Sequence, residues 1–194
     1  MVKNMNWLYG KSRIILLSGL LAYSSLLVAG PPAPVAATGQ TTQYAPGDDG
    51  AEQAGVAWPK PRFVDNQDGS VSDRLTGLVW LKNANCFGRV SWEDSLLLPQ
   101  LLVQGSCGLT DGSLAGDWRL PNVLELFGLV DLGEHQPALV AGHPFLNVQL
   151  DFYWSGTTLD NVNSPARPVS MSFGNIDQKD KADLYYVWPV RDAR

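Results

Sequence analysis

Cysteine and histidine are scarce, two of each in the 194-residue chain. Cys86 and Cys107 form no C-x-x-C pair, which argues against dithiol redox catalysis. His135 and His143 stand far from them in sequence, so no zinc-ligand spacing arises. Ser155 lacks the Gly-x-Ser-x-Gly elbow of a serine nucleophile. Glu93 and Asp94 occupy a first helical turn, where acids ordinarily face the helix dipole rather than act as an acid/base pair. No internal repeat or heptad pattern is present, and nothing in the sequence calls for a cofactor. The longest apolar run, Ile14–Ala29, spans 16 residues and carries Ser18, Gly19, Ser24 and Ser25; a membrane span needs about 20.

That run follows Lys3, Lys11 and Arg13, the order of a secretory signal. Val35 and Ala37 put small residues at the −3 and −1 positions of a cut before Thr38, so residues 1–37 read as a signal peptide. Retention as an uncleaved anchor is the rival reading. Removal takes away three cations and no anions, leaving 11 Lys+Arg against 19 Asp+Glu, a net charge of −8. An acidic export product of this kind disfavours nucleic acid and anionic lipid surfaces as partners, and no stable membrane span remains after cleavage. The expected location is periplasmic or extracellular. In that oxidising setting the even pair Cys86 and Cys107 reads as a disulfide, closing a loop of 22 residues counted from one to the other. Such a loop is worth about 3 kcal/mol in the chain-entropy description. Two free buried thiols would be the reading for a chain that is not exported.

Residues 38–57 are rich in Gly, Pro, Thr, Gln and Asp and read as a flexible lead-in. The folded domain is expected over residues 58–194. Trp58-Pro59-Lys60-Pro61 enters it extended, because each proline biases its predecessor away from helix. Hairpins follow over Phe63–Lys82, with Asp68-Gly69 as a two-residue turn, Thr76-Gly77 as a second turn, and Leu78–Leu81 as a buried strand. Asp65, Asp68 and Asp73 are weak metal candidates: aligning Gly69 with the glycine of an EF-hand loop puts Val64 and Leu75 at ligand positions, and turn chemistry accounts for these acids without a metal.

Ser91-Trp92-Glu93-Asp94 is a capping box opening a helix to about Val103 with Leu96, Leu97, Leu98, Leu101 and Leu102 as its core face; Pro99 predicts a break near Leu98. In Asp117–Leu120 a strand ends at Pro121, with Trp118 inward and the Arg119 guanidinium outward, free to bind a carboxylate or carbonyl. Asn122 and Glu125 then form a second capping box, ahead of Leu124, Leu126, Phe127, Leu129 and Val130, which should be largely buried. Further strands are expected at Phe145–Leu150, through Phe152–Trp154, over Ala166–Phe173 with Val169, Met171 and Phe173 on one face, and at Leu184–Arg191.

Six ordered motifs carry a resemblance. They are Pro61-Arg62-Phe63 with Asp65–Asp73, Leu75-Thr76-Gly77-Leu78-Val79-Trp80, Ser91-Trp92, Gly116-Asp117-Trp118-Arg119-Leu120-Pro121-Asn122, Tyr153-Trp154-Ser155-Gly156-Thr157-Thr158 and Val187-Trp188-Pro189-Val190-Arg191. From Trp58 to Arg191 the chain resembles the DUF1566 or Lcl C-terminal domain family of exported bacterial proteins. The resemblance implies an α+β fold: a compact C-type lectin-like domain with β-hairpins, two helices and a returning C-terminal strand. It implies no enzymatic activity. A collagen-like adhesin in the family suggests attachment to glycans or surfaces. The calcium-dependent lectin triplet has no counterpart here, since the nearest match is Gln136-Pro137-Ala138, so that sugar site is not carried over. Binding of sulfated glycans would want clustered cations, which an acidic chain disfavours. Enzymes of the formylglycine-generating type share the fold class but need reactive thiols, which a disulfide removes.

The leading expectation is therefore an exported, non-enzymatic binding or adhesion module whose partner is a glycan or surface protein. Tyr153, Trp154, Tyr185, Tyr186 and Trp188 are the stacking candidates, one or two of them exposed, with Arg167, Lys179 and Lys181 as local cations. A structural or assembly component of the bacterial envelope is the alternative.

Overall fold

The computed structural model describes residues 35–159 and 165–194. Most of the expected signal peptide lies outside the described residues. The domain is α+β, with short elements joined by long, hydrogen-bonded loops.

Strands β1 (Phe63–Asp65), β2 (Ser70–Asp73) and β3 (Leu78–Leu81) form an antiparallel meander. The last strand, Val190–Asp192, returns to pair antiparallel with β3, Trp80 opposite Val190. The sheet is completed only by chain ends far apart in sequence. Phe63, Val71, Trp80 and Val190 line its inner face and pack on Leu126, Leu129, Trp188 and Phe145.

The first turn is longer than the two-residue one expected. Strand β1 ends at Asp65 and β2 starts at Ser70, leaving Asn66–Gly69 as the connection, with Gln67 and Gly69 at positive φ. Gly69 has φ +84°, and a Cβ there would lie 2.3 Å from the Gly108 carbonyl oxygen. Any other residue would push away the loop that carries Cys107.

A disulfide joins Cys86 to Cys107, with Cα atoms 5.7 Å apart. It borders a second cluster of Val79, Leu81, Leu102, Leu109 and Trp118. Helix α2 covers only Trp92–Leu97, capped by Ser91, and the chain tightens to a 3₁₀ turn at Leu98–Leu101, where Pro99 sits. The break near Leu98 is therefore present. The leucine face is present in part: Leu102 is buried, Leu96 packs against the core and Leu98 is half-buried, whereas Leu97 and Leu101 are 60% and 67% exposed. Ending the helix early rotates its last leucines away from the core.

Helix α3 (Val123–Phe127) has the expected reciprocal cap. Asn122 accepts from the Leu124 and Glu125 amides, and Glu125 accepts from the Asn122 amide. Leu126, Leu129 and Val130 are buried, but Leu124 is 74% exposed because five residues present only one side to the core. Trp118 is fully buried, its indole donating to Ser113 Oγ at 2.8 Å. Arg119 points outward to Glu125 at 2.7 and 2.8 Å and to Asp192 at 3.3 Å. The strand expected at Asp117–Leu120 reduces to one bridge, Arg119 with Val190.

The remaining expected strands are also shorter. Phe145–Leu150 contributes one bridge, Leu146 with Asn83. Phe152–Tyr153 (β4) pairs with Val169–Ser170 (β5). Val169 and Met171 are buried, but Phe173 lies in the turn closed by Gly174 N–H to Ser170 O and is 63% exposed. Leu184 is exposed and the strand proper starts at Val190, which makes it β6.

Within residues 38–57, a four-residue helix, α1, occupies Asp49–Glu52, capped by Asp48. Val35–Ala37 pairs with Val56, Ala37 N–H donating to Val56 O at 3.0 Å and Val56 N–H to Val35 O at 2.8 Å. Leu132 N–H reaches Thr38 O at 2.9 Å. These bonds lay the lead-in along the domain.

Candidate functional site

The C-terminal aromatics are brought together by one threading event. Tyr185 exchanges both backbone bonds with Val90, at 2.9 and 3.1 Å. Its neighbour Tyr186 donates to Phe152 O and accepts from Trp154 N–H. Segment 185–188 thus runs between the loop ahead of α2 and β4, and its side chains divide between interior and surface.

Tyr153, Trp154 and Trp188 go to the interior, each fully buried. Their polar handles are taken by the backbone, as burial requires. Trp154 Nε1–H donates to Val90 O at 3.0 Å, and Trp188 Nε1–H donates to Leu81 O at 2.9 Å. Tyr153 Oη accepts from Gln149 N–H at 2.8 Å, and burial pushes its hydroxyl pKa well up. These three are core, which corrects their assignment as ligand platforms. Arg167 is half-buried, its carbonyl accepting from Ser155 Oγ and its amide donating to Thr157 O.

Tyr185 and Tyr186 keep partial exposure, and two rings not foreseen join them, Phe152 and Trp92. Tyr185 meets Phe152 edge-on at 5.4 Å and Trp154 at 5.1 Å; Tyr186 lies 5.6 Å from Tyr153. A cation lies over three of the rings: Arg89 over Tyr186 at 5.4 Å, Lys179 over Phe152 at 4.7 Å and Lys181 over Trp92 at 4.4 Å. Arg89 is also tied to Tyr186 Oη at 3.3 Å and to Asp151, and Lys179 to Asp177 at 3.0 Å. The Tyr186 hydroxyl and the Asp151 carboxylate favour the charged guanidinium of Arg89, and Asp177 does the same for the Lys179 ammonium. Lys181 is held over Trp92, whose amide donates to Lys181 O and whose indole donates to Ser155 O.

Asp65, Asp68 and Asp73 have separate partners. Asp65 pairs with Lys82 at 2.7 Å, Asp68 accepts from Ser70, and Asp73 forms a buried pair with Arg62 at 2.8 and 3.0 Å. Among the described residues no three His, Cys, Asp or Glu side chains gather as a metal-ligand group. His143 is half-buried against Phe145, and its burial lowers its pKa.

Arg89 has no signal in sequence, since its partner Tyr186 is 97 residues away. Trp92 is readable only as a capping-box residue, and Phe152 only as the alternate neighbour of Tyr153 in a strand.

The described residues thus define a small disulfide-closed α+β domain whose C-terminal face sets cations over partly exposed rings. The chain belongs to the Lcl C-terminal domain family, which matches residues 69–191. No curated protein matches it. Among the described residues no helix is long and apolar enough to cross a membrane.

Proposed function

We propose that the protein is an exported, non-enzymatic binding or adhesion module of C-type lectin-like type, acting in the periplasm or outside the cell. Its face of Trp92, Phe152, Tyr185 and Tyr186 attaches to a glycan or surface protein. One observation carries this reading: in an acidic chain, Arg89, Lys179 and Lys181 each lie over a partly exposed aromatic ring. Partly exposed rings stack on apolar faces of sugars or peptides, and the cations accept their anionic groups. The disulfide fits an oxidising compartment. Folded protein applied to glycan and surface-protein arrays should bind a subset of spots, and Lys181→Glu should weaken that binding without lowering thermal stability. Folded protein that binds neither array refutes the reading.

A second reading, an envelope assembly component, draws on a different feature. Leu97, Leu101 and Leu114 are exposed on segments tied together by Gly116 N–H to Gln100 O and Gln104 N–H to Ser113 O, both at 2.8 Å. Native mass measurement showing an oligomer that Leu101→Glu dissociates would favour it.

A further inference from the structure

The lead-in and the turn after α3 enclose a cleft of about 480 Å³ on another part of the domain. Trp58 forms part of its lining and is fixed there by its indole N–H, which donates to Ala37 O at 2.8 Å. Arg62 and Asp131 also line the cleft and are 3% and 6% exposed. The Arg62 guanidinium lies 4.3 Å from the Trp58 ring and 4.6 Å from the Phe63 ring. Its Nε and Nη2 are bonded to Asp73, and Nη2 also to Gly128 O. Among the described residues Nη1 has no partner.

Asp131 is bonded through one of its two oxygens. Its Oδ1 accepts from Gly133 N–H at 2.9 Å, and its Oδ2 accepts no bond from any described residue. Burial raises this carboxyl above its ordinary value, and the bond from Gly133 N–H and the nearby Arg62 charge offset only part of that rise. The chain accommodates the carboxylate closely: Gly39 has φ +89°, and a Cβ there would sit 2.2 Å from Asp131 Oδ1. Gln40, Lys60 and Glu134 complete the polar part of the lining.

A buried donor without a partner and, on the same cleft, a carboxylate oxygen that no described residue occupies call for a ligand that can donate and accept in the same place. Adjacent hydroxyls do both. A full charge of either sign is opposed, an anion by Asp131 and Glu134 and a cation by Lys60 and Arg62. The volume suits a small ligand, and the indole supplies an apolar surface.

We propose that this cleft binds a neutral sugar unit, with Trp58 as the apolar platform, Asp131 accepting from a hydroxyl and Arg62 Nη1 donating to a hydroxyl oxygen. This site is independent of the aromatic face.

Calorimetric titration of a chain beginning at Pro34, which keeps the Ala37 carbonyl bonded to Trp58, with maltose, cellobiose, lactose and chitobiose tests it, with glucuronate as the anionic control. At least one neutral disaccharide should bind saturably. Asp131→Asn should cut that affinity about tenfold or more, the loss expected for a hydrogen bond to a charged group, while keeping the acceptor for Gly133. Trp58→Ala should abolish binding, and Lys181→Glu should leave it unchanged. Three results overturn the proposal: no disaccharide binds to folded protein, glucuronate binds more tightly than the neutral sugars, or binding survives Asp131→Asn and is lost in Lys181→Glu. The last would move the sugar to the aromatic face.

Discussion

Arg89 and Arg62 both lie over aromatic rings, yet the two are built differently. Arg89 is more than half exposed and paired with Asp151 and Tyr186. Arg62 is buried between Trp58 and Phe63, with Asp73 and Gly128 O on part of its guanidinium and one nitrogen unmatched. At the aromatic face, charge is arranged on an already satisfied surface, so removing it changes recognition more than folding. Around the cleft, buried polar groups help hold the fold and also remain short of partners. The same side chains therefore carry stability and binding together.

The comparison is sharpest when one partner of each pair is removed. Arg62→Ala strands Asp73 without its cation, and breaking a buried pair in this way costs about 3–5 kcal/mol; urea unfolding should show a loss of that order. Next, Cys86→Ser with Cys107→Ser frees the loop beside the Trp118 cluster and should cost about 3 kcal/mol by the same assay. That loss should leave the face's ligand binding intact in the fraction still folded.

A chain beginning at Thr38 lacks the Ala37 carbonyl that holds Trp58 and the pairing of Val35–Ala37 with Val56. Compared with a chain beginning at Pro34, it should lose about 1–3 kcal/mol, the range for unmade buried hydrogen bonds. Sugar affinity should fall while the aromatic face is unaffected. Intact mass of the exported protein shows which start the cell uses.

Asp131 gives a signed pH test. Its carboxyl is raised in the folded state, so between the ordinary carboxylate pKa and the folded value the native protein binds more protons than the unfolded chain. Its contribution is fully present below the ordinary value and is lost as pH rises through the folded one. Asp131→Asn should therefore stabilise the protein at pH 7 and bring no gain at pH 3, read from urea midpoints. Smallest of all, Arg89→Ala should change stability by less than about 1 kcal/mol, as for exposed ion pairs.

Local chemistry was legible in the sequence wherever it depends on neighbours a few residues apart. The Asn122 capping box, the Ser91 cap (without the return bond of a box), the stop at Pro99, the inward Trp118 and the outward Arg119 follow from such spacing. The disulfide was legible from the cysteine count and the expected export, not from geometry. Strand lengths were not, because most segments pair through a single bridge to a distant partner, and no periodicity marks where such pairing stops. Periodicity also misassigned Leu97, Leu101 and Phe173, which sit at the end of a helix, at the end of the 3₁₀ turn after it, and within a turn, where the chain rotates them outward. Of the five stacking candidates, three belong to the core and two stay at the surface; composition alone does not separate them. The cleft was invisible for a further reason, since Ala37, Arg62 and Asp131 meet only in three dimensions.

The two indoles that report on these regions allow a direct decision. Trp58 Nε1–H is bonded to Ala37 O in the cleft and Trp92 Nε1–H to Ser155 O on the face, so each gives its own signal in an indole ¹H–¹⁵N spectrum. Titration with the tightest-binding neutral disaccharide should shift the Trp58 signal saturably and leave Trp92 in place. A shift of Trp92 with Trp58 unmoved would contradict the assignment of the sugar to the cleft.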